Sequence, residues 1–176
     1  MDSQICAATP ADIDAIAALA RVVWQATYPE IISQEQIDRM LEQRYNAAQL
    51  LAELATPQIG WVLIRVDGTL AGFASTRPAD APGEIKLDKL YVDPDRQREG
   101  LGGRLIAHVV ARARAQGCQT LVLAVNKKNE RAIAAYRKNG FTIREAVCVD
   151  IGGGFVMDDF IMVLAIGKVP EASPES

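Results

Sequence analysis

The chain has 176 residues, 49% of them hydrophobic, which suffices for one domain with a sizeable core and leaves no linker to mark a second. A formal net charge of −3 lacks the basic excess that nucleic-acid binders use, and no apolar run is long enough to span a bilayer. The acidic N-terminus lacks the basic-then-apolar layout of a signal peptide, and the three scattered cysteines (Cys6, Cys118, Cys148) do not suit a disulfide framework; both point to a reducing cytoplasm.

Residues 3–8 are read as a first strand, after which Thr9 caps a helix with Pro10 in its first turn. Ile13, Ile16, Leu19, Ala20 and Val23 follow at helical spacing. Ser33 with Gln36 reads as a capping box opening a second helix, and residues 47–54 form a third that ends before Pro57. Residues 61–66 are a β-branched strand. Asp67-Gly68 is a hairpin turn, residues 70–76 return, and residues 84–92 add a third strand ended by Pro94. Residues 101–115 read as a long helix closed by Gly117, residues 121–125 as a buried strand, and residues 129–138 as a short helix closed by Gly140. Residues 141–149 and 155–166 make a final antiparallel pair. The Pro-, Glu- and Ser-rich residues 168–176 read as a disordered tail, which leaves residues 1–167 as a single domain. This order implies an α/β (α+β) fold with a mixed, mostly antiparallel central sheet flanked by helices.

The segment from Leu87 to Gly117 is the most informative. A strand runs into a turn holding Gly100, Gly102 and Gly103, and a helix starts inside that turn. The first turn of a helix offers unpaired N–H groups and partial positive charge, which a diphosphate satisfies if bare backbone lets it approach. Arg96, Arg98 and Arg104 add charge nearby. A tight structural connection is the other reading of the same glycines. Neither the Walker Lys-Ser/Thr pair nor the third glycine of the dinucleotide fingerprint is present.

Leu90-Tyr91-Val92, Pro94 and the run Gln97-Arg98-Glu99-Gly100-Leu101-Gly102 resemble the signature of the GCN5-related N-acetyltransferase (GNAT) superfamily. Asn129, Ala132, Tyr136, Gly140 and Phe141 resemble its second motif, and the glycine-rich stretch before Phe155 resembles the ending of many bacterial members. The resemblance covers nearly the whole chain and implies the GNAT fold, with acetyl-CoA as cosubstrate and no metal. It implies that the amides from Gln97 through Gly103 hold the pyrophosphate. The backbone of Leu90 to Val92 would pair with the pantetheine arm like an added strand. Asn126, Asn129, Ala132 and Tyr136 would line the same arm.

The implied reaction is N-acetylation of a primary amine, on a small molecule or a peptide, by direct transfer in a ternary complex. An acyl-CoA-binding regulatory module and a protein N-terminal acetyltransferase are the alternatives. No nucleic-acid or membrane partner is expected, and a homodimer stays open. Tyr136 is the expected donor to the departing thiolate, or else packs its helix on the sheet. An alkyl ammonium must lose a proton before it attacks. Strict alternation places Glu84, Lys86, Asp88, Leu90 and Val92 on one face of their strand. The resemblance implies a base or water-holding residue at Lys86 or Asp88. Lys86 is a poor base at its ordinary pKa, and Asp88 is either a base acting through water, which burial would have to make effective, or an ion-pair partner of Lys86, Lys89 or another charge. Trp24 and Tyr28 share a helix face and serve the core or the acceptor pocket. Asp158 and Asp159 present charge either to a cationic acceptor or to solvent. His108 is read as a surface residue.

Overall fold

A computed structural model of the chain describes residues 2–167. The expected tail, 168–176, lies outside the described residues. Seven strands form one sheet in the order β1-β2-β3-β4-β5-β7-β6. They are β1 (Ser3–Ala7), β2 (Gly60–Val66), β3 (Thr69–Pro78), β4 (Glu84–Val92), β5 (Thr120–Asn126), β6 (Thr142–Gly152) and β7 (Phe155–Ala165). Helices α1 (Ile13–Thr27), α2 (Gln34–Tyr45) and α3 (Ala47–Leu54) cover one face. Helices α4 (Leu101–Ala115) and α5 (Glu130–Lys138) follow β4 and β5. This is the mixed, mostly antiparallel architecture expected, since only β4 and β5 run parallel.

Local chemistry explains most boundaries. Asp67 and Gly68 both adopt positive φ, as a two-residue hairpin loop requires. Thr9 and Asp12 cap each other around a short 3-10 turn at Pro10–Asp12, and α1 continues from it. The Ser33 capping box is only half formed. The Ser33 hydroxyl accepts from the Gln36 amide at 3.1 Å, but the Gln36 side chain donates instead to the Val156 carbonyl at 3.0 Å. That bond ties α2 to the β6–β7 hairpin.

Two cores sit on opposite faces. Leu105, Val109, Leu121, Leu123, Phe141 and Met162 fill the α4 side. Ile16, Trp24, Ile37, Leu50, Trp61 and Phe73 fill the α1–α3 side.

Strict alternation fails in β4. Ser75 pairs with Lys89 while the next residue, Thr76, pairs with Leu87, so Asp88 is an extra, bulged residue. Leu90 and Val92 therefore pack with Ile85 and Leu87 on the α4 side. Lys89 and Tyr91 turn to the other side, where Tyr91 joins the aromatic core and Lys89 is buried. The face expected for Lys86, Leu90 and Val92 together is thus corrected by one inserted residue. A bulge bends its strand, and the β4–β5 ladder runs only from Glu84–Lys86 against Thr120–Val122, ending before Asp88. Beyond that point the two parallel strands separate.

Candidate active site

Asp93 ends β4 and caps a short turn, its carboxylate accepting from the Asp95 amide at 2.9 Å. Arg98 and Gly100 both adopt positive φ, 72° and 75°, before α4 begins at Leu101. Glycine adopts that conformation at Gly100 without the steric cost that Arg98 bears. Gly102 and Gly103 do not adopt it. Their φ is ordinary, and an added Cβ would meet only Val92 Cγ2 at 3.8 Å or Asn139 Oδ1 at 3.7 Å. Glycine inside a helix is less favourable than alanine by about 1 kcal/mol, so a helix with this much room gains nothing internally from a bare backbone at Gly102. The exposed amides of its first turn, and the open approach to them, suit an anion.

One cleft of about 490 Å³ runs from this turn through the β4–β5 gap to the α1–α2 side. Of the sequence-derived site residues, Gln97, Arg98, Gly100, Leu101 and Gly102 line its turn end. Leu90, Tyr91 and Val92 line one wall, and Asn126, Asn129, Ala132 and Tyr136 the other. Trp24, Tyr28 and Asp88 line its far end. Glu99 and Gly103 do not line it: Glu99 pairs with Arg96 at 3.7 Å, and Gly103 faces Asn139. Arg104, expected to add charge at the turn, hydrogen-bonds Ser3 instead. Positive charge comes also from Arg131 and Lys138, which with Ala135 form a lining face of α5. That i, i+4, i+7 spacing was visible in the sequence. The contributions of Gln36, Met40, Arg44, Met157 and Asp159 were not, because they depend on how α2 and β7 fold over the gap.

Asn129 caps α5, its side-chain oxygen accepting from the Ala132 amide at 3.2 Å. Tyr136, two turns on, packs edge-to-face on Phe141 at 5.6 Å. At the far end Trp24 lies 4.4 Å from Tyr28 and 6.2 Å from Tyr91, ring centre to ring centre. Beside them stands a charged cluster. Asp88 accepts from Lys89 at 2.8 Å and lies 3.4 Å from Arg44, 3.5 Å from Arg77 and 3.9 Å from Lys86. Lys89 also pairs with buried Glu53 at 3.2 Å, and its ammonium lies 5.2 Å from the centre of the Trp61 ring.

A family model described as the acetyltransferase (GNAT) family matches residues 17–141. The chain belongs to that family. The acetyltransferase is 29% identical over 152 residues to an uncharacterised N-acetyltransferase of Mycobacterium bovis, covering 86% of this chain and 96% of the relative. It is 25% identical over 151 residues to a spermidine N(1)-acetyltransferase of Thermoplasma acidophilum, covering 84% and 90%. Among solved structures it resembles the PaiA N-acetyltransferase of Thermoplasma acidophilum in complex with coenzyme A. That match has a TM-score of 0.81 and 26% identity, and covers 94% of this chain and 99% of the other.

The electrostatics divide the acetyltransferase's polar residues by what they can do. Burial opposes charge on Asp88, but the surrounding Lys89, Arg44 and Arg77 cations prevail and hold its carboxyl at about 2. The expectation that burial would make Asp88 an effective base is therefore not met. A carboxylate with four cationic neighbours has little affinity for another proton. Asp88 instead anchors Lys89, Arg44 and Arg77 around the bulge. Burial raises the Tyr136 phenol above its ordinary range, so the hydroxyl stays protonated at any working pH. His108 lies away from the cleft, on α4, with its pKa lowered by burial and by Arg112. Among the described residues no cluster of His, Cys, Asp or Glu is placed to hold a metal, and no helix is long and apolar enough to cross a membrane.

Proposed function

We propose that the acetyltransferase holds acetyl-CoA in the β4–β5 gap and moves the acetyl group directly to a primary amine that enters from the α1–α2 side. The observation that carries this reading is the single cleft. A helix N-terminus with a bare Gly102 backbone stands at one end, a Trp-Tyr and charged chamber stands at the other, and Tyr136 lies on the wall between them. The amides of Gly100 to Gly102, with Arg98, Arg131 and Lys138 nearby, suit the pyrophosphate. The exposed edge of β4 from Leu90 to Val92, freed when β5 diverges, suits strand-like pairing with the pantetheine amides.

Holding both substrates in one cleft removes most of the encounter entropy from the chemical step. Tyr136, always protonated, donates to the sulfur as it leaves. Asp88 acts as a positioning residue, keeping Arg44 and Lys86 at the acceptor end. The spermidine N(1)-acetyltransferase relative supports an alkyl ammonium as acceptor.

The test is an acetyl-CoA-dependent thiol-release screen against small amines, polyamines and short peptides, with product identification by mass. Direct transfer predicts intersecting double-reciprocal plots for the two substrates. Parallel plots indicate a covalent acetyl-enzyme and remove the ternary complex.

A further inference from the structure

We infer that Asp159 receives the acceptor's ammonium group and takes its proton. The inference rests on the transfer reading above and gives that reaction the base that Asp88 cannot supply. Asp159 lies on β7, directly opposite Asn126 of β5, and lines the acceptor end of the cleft. It is 4% exposed. Its Oδ1 is buried without a hydrogen-bond partner among the described residues. The contrast with Asp88 is direct: one cleft carboxylate has four cationic neighbours, and the other has an oxygen with nothing to bind.

A buried acceptor atom left unpaired costs about 1–3 kcal/mol, more if charged. No structural partner repays that at Asp159, whereas an ammonium arriving in the cleft would. The short side chain of Ala124, two residues before Asn126 on the same face of β5, leaves the approach open.

Four charged groups act on Asp159; the β6 residue paired with it, Val147, carries no charge. They are Lys86 of β4, Arg44 of α2, Asp158 of β7 and Lys127 just after β5. Burial, then Asp158, push its carboxyl up; Lys86, Arg44 and Lys127 oppose them, and the net shift is upward. That narrows the gap to an alkyl amine, whereas Asp88, at about 2, lies far from it.

The step balances as follows. R–NH3+ gives one proton to Asp159 and becomes R–NH2. The nitrogen lone pair forms the C–N bond to the thioester carbonyl carbon, and the C–S bond breaks. The second proton lost by nitrogen balances the one that the departing thiolate takes. The products are the amide, the thiol and one proton that Asp159 returns to water.

The experiment compares the parent with Asp159→Asn, using an alkylamine that the parent acetylates from a panel of putrescine, spermidine, phenethylamine and alanine-amide. At neutral pH kcat/KM should fall by roughly 10²–10⁴-fold, the range of acid–base catalysis. The deficit should shrink about tenfold per pH unit as the free amine accumulates toward its own pKa, about 10.4 for a lysine-like alkyl amine and about 8 for the α-amine of alanine-amide. Coenzyme A affinity by calorimetry should not change. Thermal stability should change little, because the substitution keeps the side chain's shape and removes no hydrogen bond from Oδ1. Equal kcat/KM, or a deficit constant with pH, overturns the assignment to Asp159 and leaves the transfer reading standing. A parent that binds coenzyme A but acetylates nothing in the full screen of amines, polyamines and short peptides overturns both. If Asp159→Asn does not fold, Asp159→Ser serves for the same profile.

Discussion

Gly102→Ala separates what the helix wants from what its ligand wants. Gly102 is the second residue of α4, with ordinary φ, and a Cβ there meets only Val92 Cγ2 at 3.8 Å, an ordinary contact. Alanine should therefore stabilise the unliganded protein by about 0.5–1 kcal/mol. For a chain of this size that is a rise in Tm of about 1–4 °C. The same methyl group tilts toward the helix N-terminus, into the space where the pyrophosphate would approach the first-turn amides. Losing one charge-assisted hydrogen bond there removes about 1.5–3 kcal/mol, or roughly 10- to 100-fold in coenzyme A affinity. Differential scanning calorimetry of the free protein and isothermal titration with coenzyme A measure the two halves separately. Gly103→Ala is the internal control. It faces Asn139 rather than the cleft, so it should share the stabilisation and largely spare the affinity. A stabilised Gly102→Ala variant with unchanged affinity refutes the placement of the diphosphate at this turn.

Tyr136→Phe keeps the ring packed on Phe141 but removes the donor. Its single-turnover rate at saturating acetyl-CoA should drop at least tenfold with little change in stability; equal rates would show a packing role only. Asp88 is depressed from 3.8 to about 2 in the folded protein. It therefore contributes about 2 kcal/mol of stability that is fully present above pH 4 and lost as pH falls through about 2. Urea unfolding between pH 2 and pH 5 should show this slope in the parent and not in Asp88→Asn. Lys89→Met removes a cation from between buried Glu53 and Asp88, and should destabilise the fold by about 3 kcal/mol in chemical denaturation. A loss below 1 kcal/mol would mean that Arg77 suffices for Glu53, and that Arg44, Arg77 and Lys86 suffice for Asp88.

The turn end of the cleft, proposed for coenzyme A, was legible in the residue order because its chemistry is local. A glycine at positive φ, a helix start with open amides, and Asn129 as a cap three residues before Ala132 are all properties of a few consecutive residues. They read the same before and after folding. So do the hairpin at Asp67-Gly68 and the helical stripes of α1 and α4.

The far end of the cleft, proposed for the acceptor, depends on contacts between residues far apart in sequence, and there the sequence alone fell short. One inserted residue at Asp88 reversed the faces of Lys89, Leu90 and Tyr91, and no local signal announces a bulge in a strand that reads as regular. Asp88 and Asp159 are the same residue type, and neither strand's sequence says which carboxylate will find cationic partners. Tertiary packing surrounded one with Lys89, Arg44, Arg77 and Lys86 and buried the other with an unpaired oxygen. A carboxylate's affinity for a proton is set by the charges and solvent that folding places around it. Those neighbours come from α2, β3, β4 and β7, so the division of roles between the two aspartates exists only once the sheet has closed around the cleft.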